Sequence, residues 1–139
     1  MNNSVTKVIK KYKSKINLVW DDLDYQKIEN LALDIVNVWK NGFTIYICGN
    51  GGSATNANHI ANDLIYGVNK TGRGIKIHSL CANDSILTCL ANDTGYENIF
   101  SKQLKNTRKK EWFNNLFIGK WKFKNYFDHI KYVIKIDKL

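Results

Sequence analysis

A histidine and an aspartate, His59 and Asp63, stand four residues apart in a segment with the apolar spacing of a helix. Side chains at this spacing project from the same face of a helix, so the imidazole and the carboxylate lie side by side. Such a pair can hold a divalent metal ion or carry a proton between two atoms of a substrate. Solvated ion pairs often have the same spacing, so the pair alone leaves both interpretations open.

A glycine-rich segment, C-G-N-G-G-S at 48–53, precedes this helix. Glycine permits positive φ and lets a ligand approach the backbone, and Ser53 is expected to cap the helix. The N–H groups of the first helical turn can then attract an anion or hydroxyl oxygens. The segment fits neither the dinucleotide-binding G-x-G-x-x-G pattern nor the P-loop lysine pattern. We therefore expect a polar ligand other than a nucleotide; the alternative is a tight turn that needs glycine for geometry alone.

Helices and strands alternate around this segment, and the connections between them are short. Apolar spacing predicts helices over 5–19, 24–40, 53–66, 85–90 and 96–104, and strands over 43–48 and 75–80. This order is typical of a parallel sheet with right-handed crossovers and a covering of helices. Ligands of such sheets bind beyond the carboxyl ends of the strands, which is where the glycine-rich segment stands.

The length of 139 residues and the hydrophobic fraction of 44% indicate a globular domain with a core. Most of the net charge of +9 lies in residues 105–139. This segment has ten lysines and arginines, three acidic residues and eight aromatic residues. Basic residues interleaved with aromatics can bind single-stranded nucleic acid. Since the rest of the chain gives no support for that, we expect no nucleic-acid partner and interpret this tail as sequence of different origin from the body.

The three cysteines, Cys48, Cys81 and Cys89, are odd in number and lack the C-x-x-C spacing of a zinc site. They predict reduced thiols in a cytoplasmic protein. No apolar run approaches the roughly 18 residues of a membrane span, and the polar N-terminus does not resemble a signal peptide. We therefore expect no membrane partner.

Two blocks of the chain resemble the sedoheptulose 7-phosphate isomerases (phosphoheptose isomerases) of the sugar isomerase, or SIS, fold. The first block, G-N-G-G-S-A-T-N-A-N-H-I-A-N-D-L, resembles the family's G-N-G-G-S signature followed by H-F-A-x-E-L. The second, N-D-T-G-Y-E-N-I-F-S-K-Q, resembles N-D-x-G-[YF]-x-x-[IV]-F-S-x-Q. The resemblance covers roughly residues 5–104. It divides the chain into the N-terminal part of a SIS domain, 1–104, and a basic, aromatic-rich divergent tail, 105–139.

The resemblance implies an α/β fold: a three-layer αβα sandwich with a parallel, flavodoxin-like sheet, incomplete at its C-terminus. It implies the conversion of sedoheptulose 7-phosphate to a D-glycero-D-manno-heptose 7-phosphate, an aldose–ketose isomerisation that supplies heptose for bacterial lipopolysaccharide. The implied partners are a phosphorylated sugar and further copies of the chain, in a homotetramer with active sites at subunit contacts. The implied cofactor is zinc. The alternative is a non-catalytic SIS-domain protein that binds a phosphosugar or serves assembly.

The resemblance also implies roles for individual residues. Asp63 falls where the family has a glutamate that acts as metal ligand and catalytic base, and His59 would be a zinc ligand. Gly67 replaces an arginine of the family, for which Arg73 is a candidate substitute. The residues expected to contact the sugar are Asn50, Gly51, Gly52, Ser53 and Asp93.

The chain departs from the family after residue 104. The family's third strand, D-V-L-I-G-I, and its serine-rich phosphate loop, S-T-S-G-N-S, are not legible; 112–119 is a candidate replacement strand, and His129 is predicted to be a surface residue. Read one base later, codons for 120–124 can encode S-G-N-S-K, so we hypothesise that part of the tail is out of frame. The nucleotide sequence of the gene tests this. On these departures we expect weak or no turnover.

Overall fold

The structure, a computed structural model, describes residues 2–67, 72–106, 116–119 and 132–135. Helices and strands alternate along most of this length. In chain order they are α1 (Asn2–Asp21), α2 (Tyr25–Lys40), β1 (Ile45–Cys48), α3 (Gly52–Asn62), β2 (Ile77–Ser79), α4 (Asp84–Thr94), α5 (Ile99–Asn106), β3 (Leu116–Gly119) and β4 (Tyr132–Lys135). A π-helical turn, Asp63–Gly67, follows α3, and a 3₁₀ turn, Tyr96–Asn98, precedes α5.

The described strands form one sheet in the order β2-β1-β3-β4, and all three pairings are parallel. Ile45 pairs with Ile77 on one side and with Leu116 on the other. The chain therefore leaves β1 in one direction to form β2 and returns to the opposite side for β3. Such a reversal opens a crevice at the carboxyl ends of β1 and β3. The predicted strand within 112–119 is confirmed as β3, whereas β4 was not predicted.

Helices cover both faces of the sheet at β1. Ile45 and Ile47 point to one face and Cys48 to the other, because successive side chains of a strand alternate, and all three are buried. Ala57 and Ala61 of α3 and Phe100 of α5 belong to the same buried cluster. The expected α/β sandwich with a parallel sheet is confirmed for the described residues.

Local capping explains where two of the helices begin. The carboxylate of Asp24 accepts a hydrogen bond from the N–H of Lys27 at the start of α2, and the Lys27 ammonium group, 3.1 Å away, followed by this N–H, lowers the pKa of Asp24. Asn83 accepts in the same way from the N–H of Ile86 at the start of α4. Both residues are among the preferred N-caps, since their side-chain oxygens satisfy N–H groups that lack a helical partner.

The helix predicted over 53–66 changes form at Asp63. The carbonyl of Leu64 accepts a hydrogen bond of 3.0 Å from the N–H of Ile75, which leads into β2. Gly74 permits this approach, since a Cβ at that position would lie 2.1 Å from the carbonyl oxygen of Ile65. The wider π turn thus contacts a distant segment, and helical spacing in the sequence does not reveal this contact.

The apolar side of α1 stays exposed in the single chain. Val8 and Tyr12 keep 65% and 66% of their surface accessible, and the same side carries Val5, Ile9, Ile16 and Val19. A contiguous apolar stripe of this kind is typical of an interaction surface. A separate search of the described residues finds no helix with the length and apolarity needed to cross a membrane.

Candidate active site

The glycine-rich segment forms a tight turn at the carboxyl end of β1. The N–H of Ser53 donates to the carbonyl of Asn50 over 3.0 Å, and Gly51 between them has φ 52° and ψ −124°. These angles are those of the first central residue of a type II′ turn, a position that glycine dominates. The turn leads directly into α3, which begins at Gly52.

Each glycine of this segment has a different role. A Cβ on Gly49 would lie 2.6 Å from the backbone of Ser53, so only glycine fits there. Gly51 supplies the positive φ, whereas a Cβ on Gly52 would meet nothing within 4 Å. The prediction that Ser53 caps α3 is wrong, because the N-cap is Gly51 and no side chain caps this helix.

The thiol of Cys81 fixes the start of the turn. Its sulfur accepts a hydrogen bond of 3.3 Å from the N–H of Gly49 and donates one of 3.2 Å to the carbonyl of the same residue. Burial raises the pKa of Cys81, and it raises the pKa of Cys48 to about 12. All three cysteines are unpaired. Cys81 therefore acts as a neutral hydrogen-bonding group that ties the turn to the end of β2.

Tyr96, to which the sequence analysis gave no role, contacts the glycine turn from the 3₁₀ turn that follows α4. Its hydroxyl donates to Oδ1 of Asn50 over 2.9 Å, across 46 residues of sequence. Gly95 turns the chain between α4 and Tyr96 with φ 88°. The second block of the sequence that resembles the family contains Tyr96, but no pattern in it indicates that its hydroxyl reaches Asn50.

Asp93 lies near the end of α4, three residues before Tyr96. Its carboxylate accepts hydrogen bonds of 2.9 Å from the amide of Asn92 and 3.4 Å from the thiol of Cys89. The bond from Asn92, then that from Cys89, lowers the pKa of Asp93, and the hydrogen bond and charge of Asp93 raise the pKa of Cys89. Asp93 is thus an exposed, ionised carboxylate held by its own helix.

His59 and Asp63 lie together on the outer side of α3. Nε2 of His59 is 3.6 Å from Oδ2 of Asp63, and the two side chains are 73% and 56% exposed. The buried side of this helix carries Ala57 and Ala61, roughly half a turn away from both. His59 follows Gly52 by about 10 Å of helix, so the pair is separate from the glycine turn within one chain.

Zinc sites in proteins use three or four ligands from histidine, cysteine and carboxylate side chains. Across the described ranges, no group of three or more such residues could hold a metal ion, so His59 and Asp63 supply two donors without a third. The described residues of one chain therefore do not fit zinc by themselves.

Arg73, the candidate substitute for the arginine replaced by Gly67, lies away from the glycine turn of its own chain. Its Nη2 lies beside Gly42, three residues before β1 begins, and would be 2.9 Å from a Cβ placed on that glycine. The glycine turn lies at the opposite end of β1, about 13 Å away along a strand of four residues. The guanidinium is thus at the amino edge of the sheet, away from the turn.

The end of β3 approaches the turn from the other side of β1. Cys48 pairs with Gly119, so the two strands end at the same level beside the crevice. Residues 120–124, the segment related to the family's phosphate loop by the hypothesised shift of frame, lie outside the described residues, as does His129.

Comparison with known proteins gives a consistent result. The SIS domain family matches residues 11–113. A stretch of 92 residues is 38% identical to phosphoheptose isomerase 2 of Campylobacter jejuni and covers 66% of this chain and 44% of that protein. The phosphoheptose isomerase of Nitratiruptor is 31% identical over 110 residues, which cover 79% and 58% of the two chains.

A solved structure of a phosphoheptose isomerase from Neisseria gonorrhoeae has the same fold. It superposes with a TM-score of 0.69 at 23% identity over 85% of this chain and 59% of that one. This chain spans about half the length of the curated relatives it matches. By its parallel sheet, its glycine turn and the match over residues 11–113, the chain belongs to the SIS domain family.

Proposed function

We propose that this chain is a phosphoheptose isomerase by descent, with sedoheptulose 7-phosphate as substrate and a D-glycero-D-manno-heptose 7-phosphate as product. The observation that carries the proposal is the glycine turn at the crevice between β1 and β3. Relatives that are 31–38% identical to parts of this chain are named phosphoheptose isomerases. A cytoplasmic location is part of the proposal and is supported by the three unpaired thiols.

The glycine turn offers hydrogen-bond donors that suit a sugar phosphate. The N–H groups of Ser53 and Ala54 bond to carbonyls of the turn, whereas those of Gly51 and Gly52 have no partner among the described residues. We propose that these two N–H groups and the amide of Asn50 bind hydroxyl or carbonyl oxygens of the sugar. Asp93, an ionised acceptor, would receive hydrogen bonds from sugar hydroxyls.

The proposed reaction is an exchange of oxidation state between two neighbouring carbons. A carboxylate removes a proton from C1 of the ketose while the C2 carbonyl oxygen gains one, which gives the enediol; C2 then gains a proton and the C1 hydroxyl loses its hydrogen. C1 becomes the aldehyde and C2 the alcohol, so no external oxidant or reductant is needed. Asp63 is the proposed base, with His59 beside it to orient the carboxylate or relay the proton.

We propose that the complete site forms between two copies of the chain. Asp63 and His59 face outward from α3, away from the glycine turn of their own chain. Ile60 and Tyr66, close to the pair, are exposed large apolar residues, as is the apolar side of α1. Burial of these surfaces against a second copy would bring His59 and Asp63 of one chain toward the glycine turn of the other. The proposed assembly is a homo-oligomer, such as the tetramer that the family resemblance implies.

Isomerisation of sedoheptulose 7-phosphate tests the activity. Asp63→Ala should reduce the rate by about 100-fold or more, the usual contribution of a positioned base, and Asp63→Glu should retain part of it. Asp22→Ala, an exposed carboxylate between α1 and α2, is the matched control. Wild-type turnover that Asp63→Ala leaves unchanged would contradict the proposed base. Since the described residues alone do not fit zinc, the assay is run with and without added zinc.

Complementation between impaired variants tests the shared site. Asp63→Ala chains are expected to be nearly inactive and Asn50→Ala chains to bind the sugar less well. In a two-fold dimer, a quarter of the sites of a refolded equal mixture carry both native residues, so the mixture should turn over faster than the mean of the two variants. No recovery in mixtures that do form mixed oligomers would contradict a site built from two copies.

A non-catalytic SIS-domain protein that binds a phosphosugar or serves assembly is the second candidate. The observation that favours it is the incomplete donor set around His59 and Asp63 in the described part of the chain. Calorimetric binding of sedoheptulose 7-phosphate by a folded oligomer that shows no turnover, with or without zinc, would select this alternative.

A further inference from the structure

We infer that Tyr96 is a positioning residue that orients the amide of Asn50 toward the ligand, an inference that rests on the proposed function. The hydroxyl of Tyr96 donates to Oδ1 of Asn50 over 2.9 Å. The two residues come from the end of α4 and the end of β1, so this bond joins two elements that border the crevice.

The need for such a bond follows from the chemistry of asparagine. Its terminal torsion has two broad, nearly equivalent minima, so an exposed amide can present either its oxygen or its NH₂ group to a ligand. Asn50 is exposed at the tip of a turn, where no packing selects one of them. A donor held at Oδ1 selects the orientation in which Nδ2 faces outward. This leaves two N–H donors for oxygen atoms of the ligand.

The backbone on either side holds Tyr96 in place. Gly95 has φ 88°, a backbone conformation that residues with a side chain rarely adopt, so glycine is the residue that suits this turn. Ile99 and Phe100, directly after the 3₁₀ turn, are buried in the core. The hydroxyl therefore projects from a segment anchored by packing, whereas the amide it contacts belongs to an exposed turn. Tyr96 is thus suited to order Asn50, and not the reverse.

Binding of sedoheptulose 7-phosphate by calorimetry, in a double-mutant cycle, tests the inference. Tyr96→Phe keeps the ring and removes the hydroxyl, and we expect it to weaken binding about three- to tenfold, the usual effect of one hydrogen bond. Asn50→Ala should weaken binding at least as much, and adding Tyr96→Phe to it should change nothing further. Tyr25→Phe, an exposed tyrosine at the start of α2, is the matched control and should bind as the wild type does.

The side-chain amide resonance of Asn50, assigned by its loss in Asn50→Ala, gives a readout that needs no ligand. Tyr96→Phe should shift this resonance and speed rotation of the amide. Two results would overturn this inference and leave the proposed function intact. In the first, Tyr96→Phe weakens binding by the same factor in the wild type and in Asn50→Ala. In the second, Asn50→Ala weakens binding and Tyr96→Phe does not. If the wild type does not bind the sugar phosphate, the proposed function is overturned. The amide resonance then still decides whether Tyr96 orients Asn50, and a resonance that Tyr96→Phe leaves unchanged overturns the inference.

Discussion

We expect alanine at Gly51 to destabilise the fold and alanine at the neighbouring Gly52 to stabilise it. The two positions differ in backbone conformation and not in crowding, since a Cβ at either would meet nothing within 4 Å. Gly51 has φ 52° and ψ −124°, angles that L-residues with a side chain rarely adopt. Gly52 is the first residue of α3 and has no positive φ, so alanine adopts its conformation readily.

The expected magnitudes follow from these conformations. A non-glycine residue in a sparsely populated region costs about 1–3 kcal/mol. Replacing glycine also lowers the entropy of the unfolded chain, which stabilises the fold by about 0.4–1 kcal/mol. Gly51→Ala should therefore lose about 1–2 kcal/mol net, whereas Gly52→Ala should gain about 0.4–1 kcal/mol. The difference between two adjacent substitutions is then about 2 kcal/mol.

Urea unfolding followed by circular dichroism measures both effects. With a slope of about 2 kcal/mol per molar, Gly51→Ala should lower the midpoint by about 0.5–1 M and Gly52→Ala should raise it by about 0.2–0.5 M. The slopes should match that of the wild type, since neither change alters the buried surface. Midpoints displaced in the same direction by similar amounts would refute the type II′ turn at Asn50–Ser53 as the reason for glycine at position 51.

Three further outcomes follow from the described contacts. Asp93→Asn removes the carboxylate that raises the pKa of Cys89, so the pKa falls and alkylation of Cys89 near pH 8 should become several-fold faster in a labelling time course; an unchanged rate would contradict the contact. Phe100→Ala empties a site that is 1% exposed and should cost about 3–5 kcal/mol in urea unfolding; a loss below about 1 kcal/mol would contradict its place in the core. Arg73→Ala should leave calorimetric binding of the phosphosugar unchanged, because the guanidinium lies beside Gly42 at the amino edge of the sheet.

Local patterns were enough to predict much of the fold. Apolar spacing predicted helices and strands that the structure places within a few residues, and the order of elements predicted a parallel sheet. These features depend on which face of an element is apolar, a property written directly in the sequence. The spacing of His59 and Asp63 likewise predicted neighbouring side chains, because a helix turn brings i and i+4 together.

Tertiary contacts decided the features that no local pattern encodes. The bond from Tyr96 to Asn50 spans 46 residues and depends on how α4 lies against the end of β1. The π turn at Asp63 occurs where the segment before β2 supplies an N–H to the carbonyl of Leu64. The outward direction of Asp63 depends on which side of α3 packs on the sheet.

The glycine turn combines both kinds of determination. The sequence by itself determined that a strand ends and a helix begins around Gly49, Gly51 and Gly52, since glycine is the residue that such a junction tolerates. Only the tertiary structure decided that Gly49 leaves space for the backbone of Ser53, that Gly51 supplies the positive φ and that Gly52 has room for a side chain. The physical reason is that the type of a residue limits the backbone conformations it can adopt, whereas tertiary packing selects one of them.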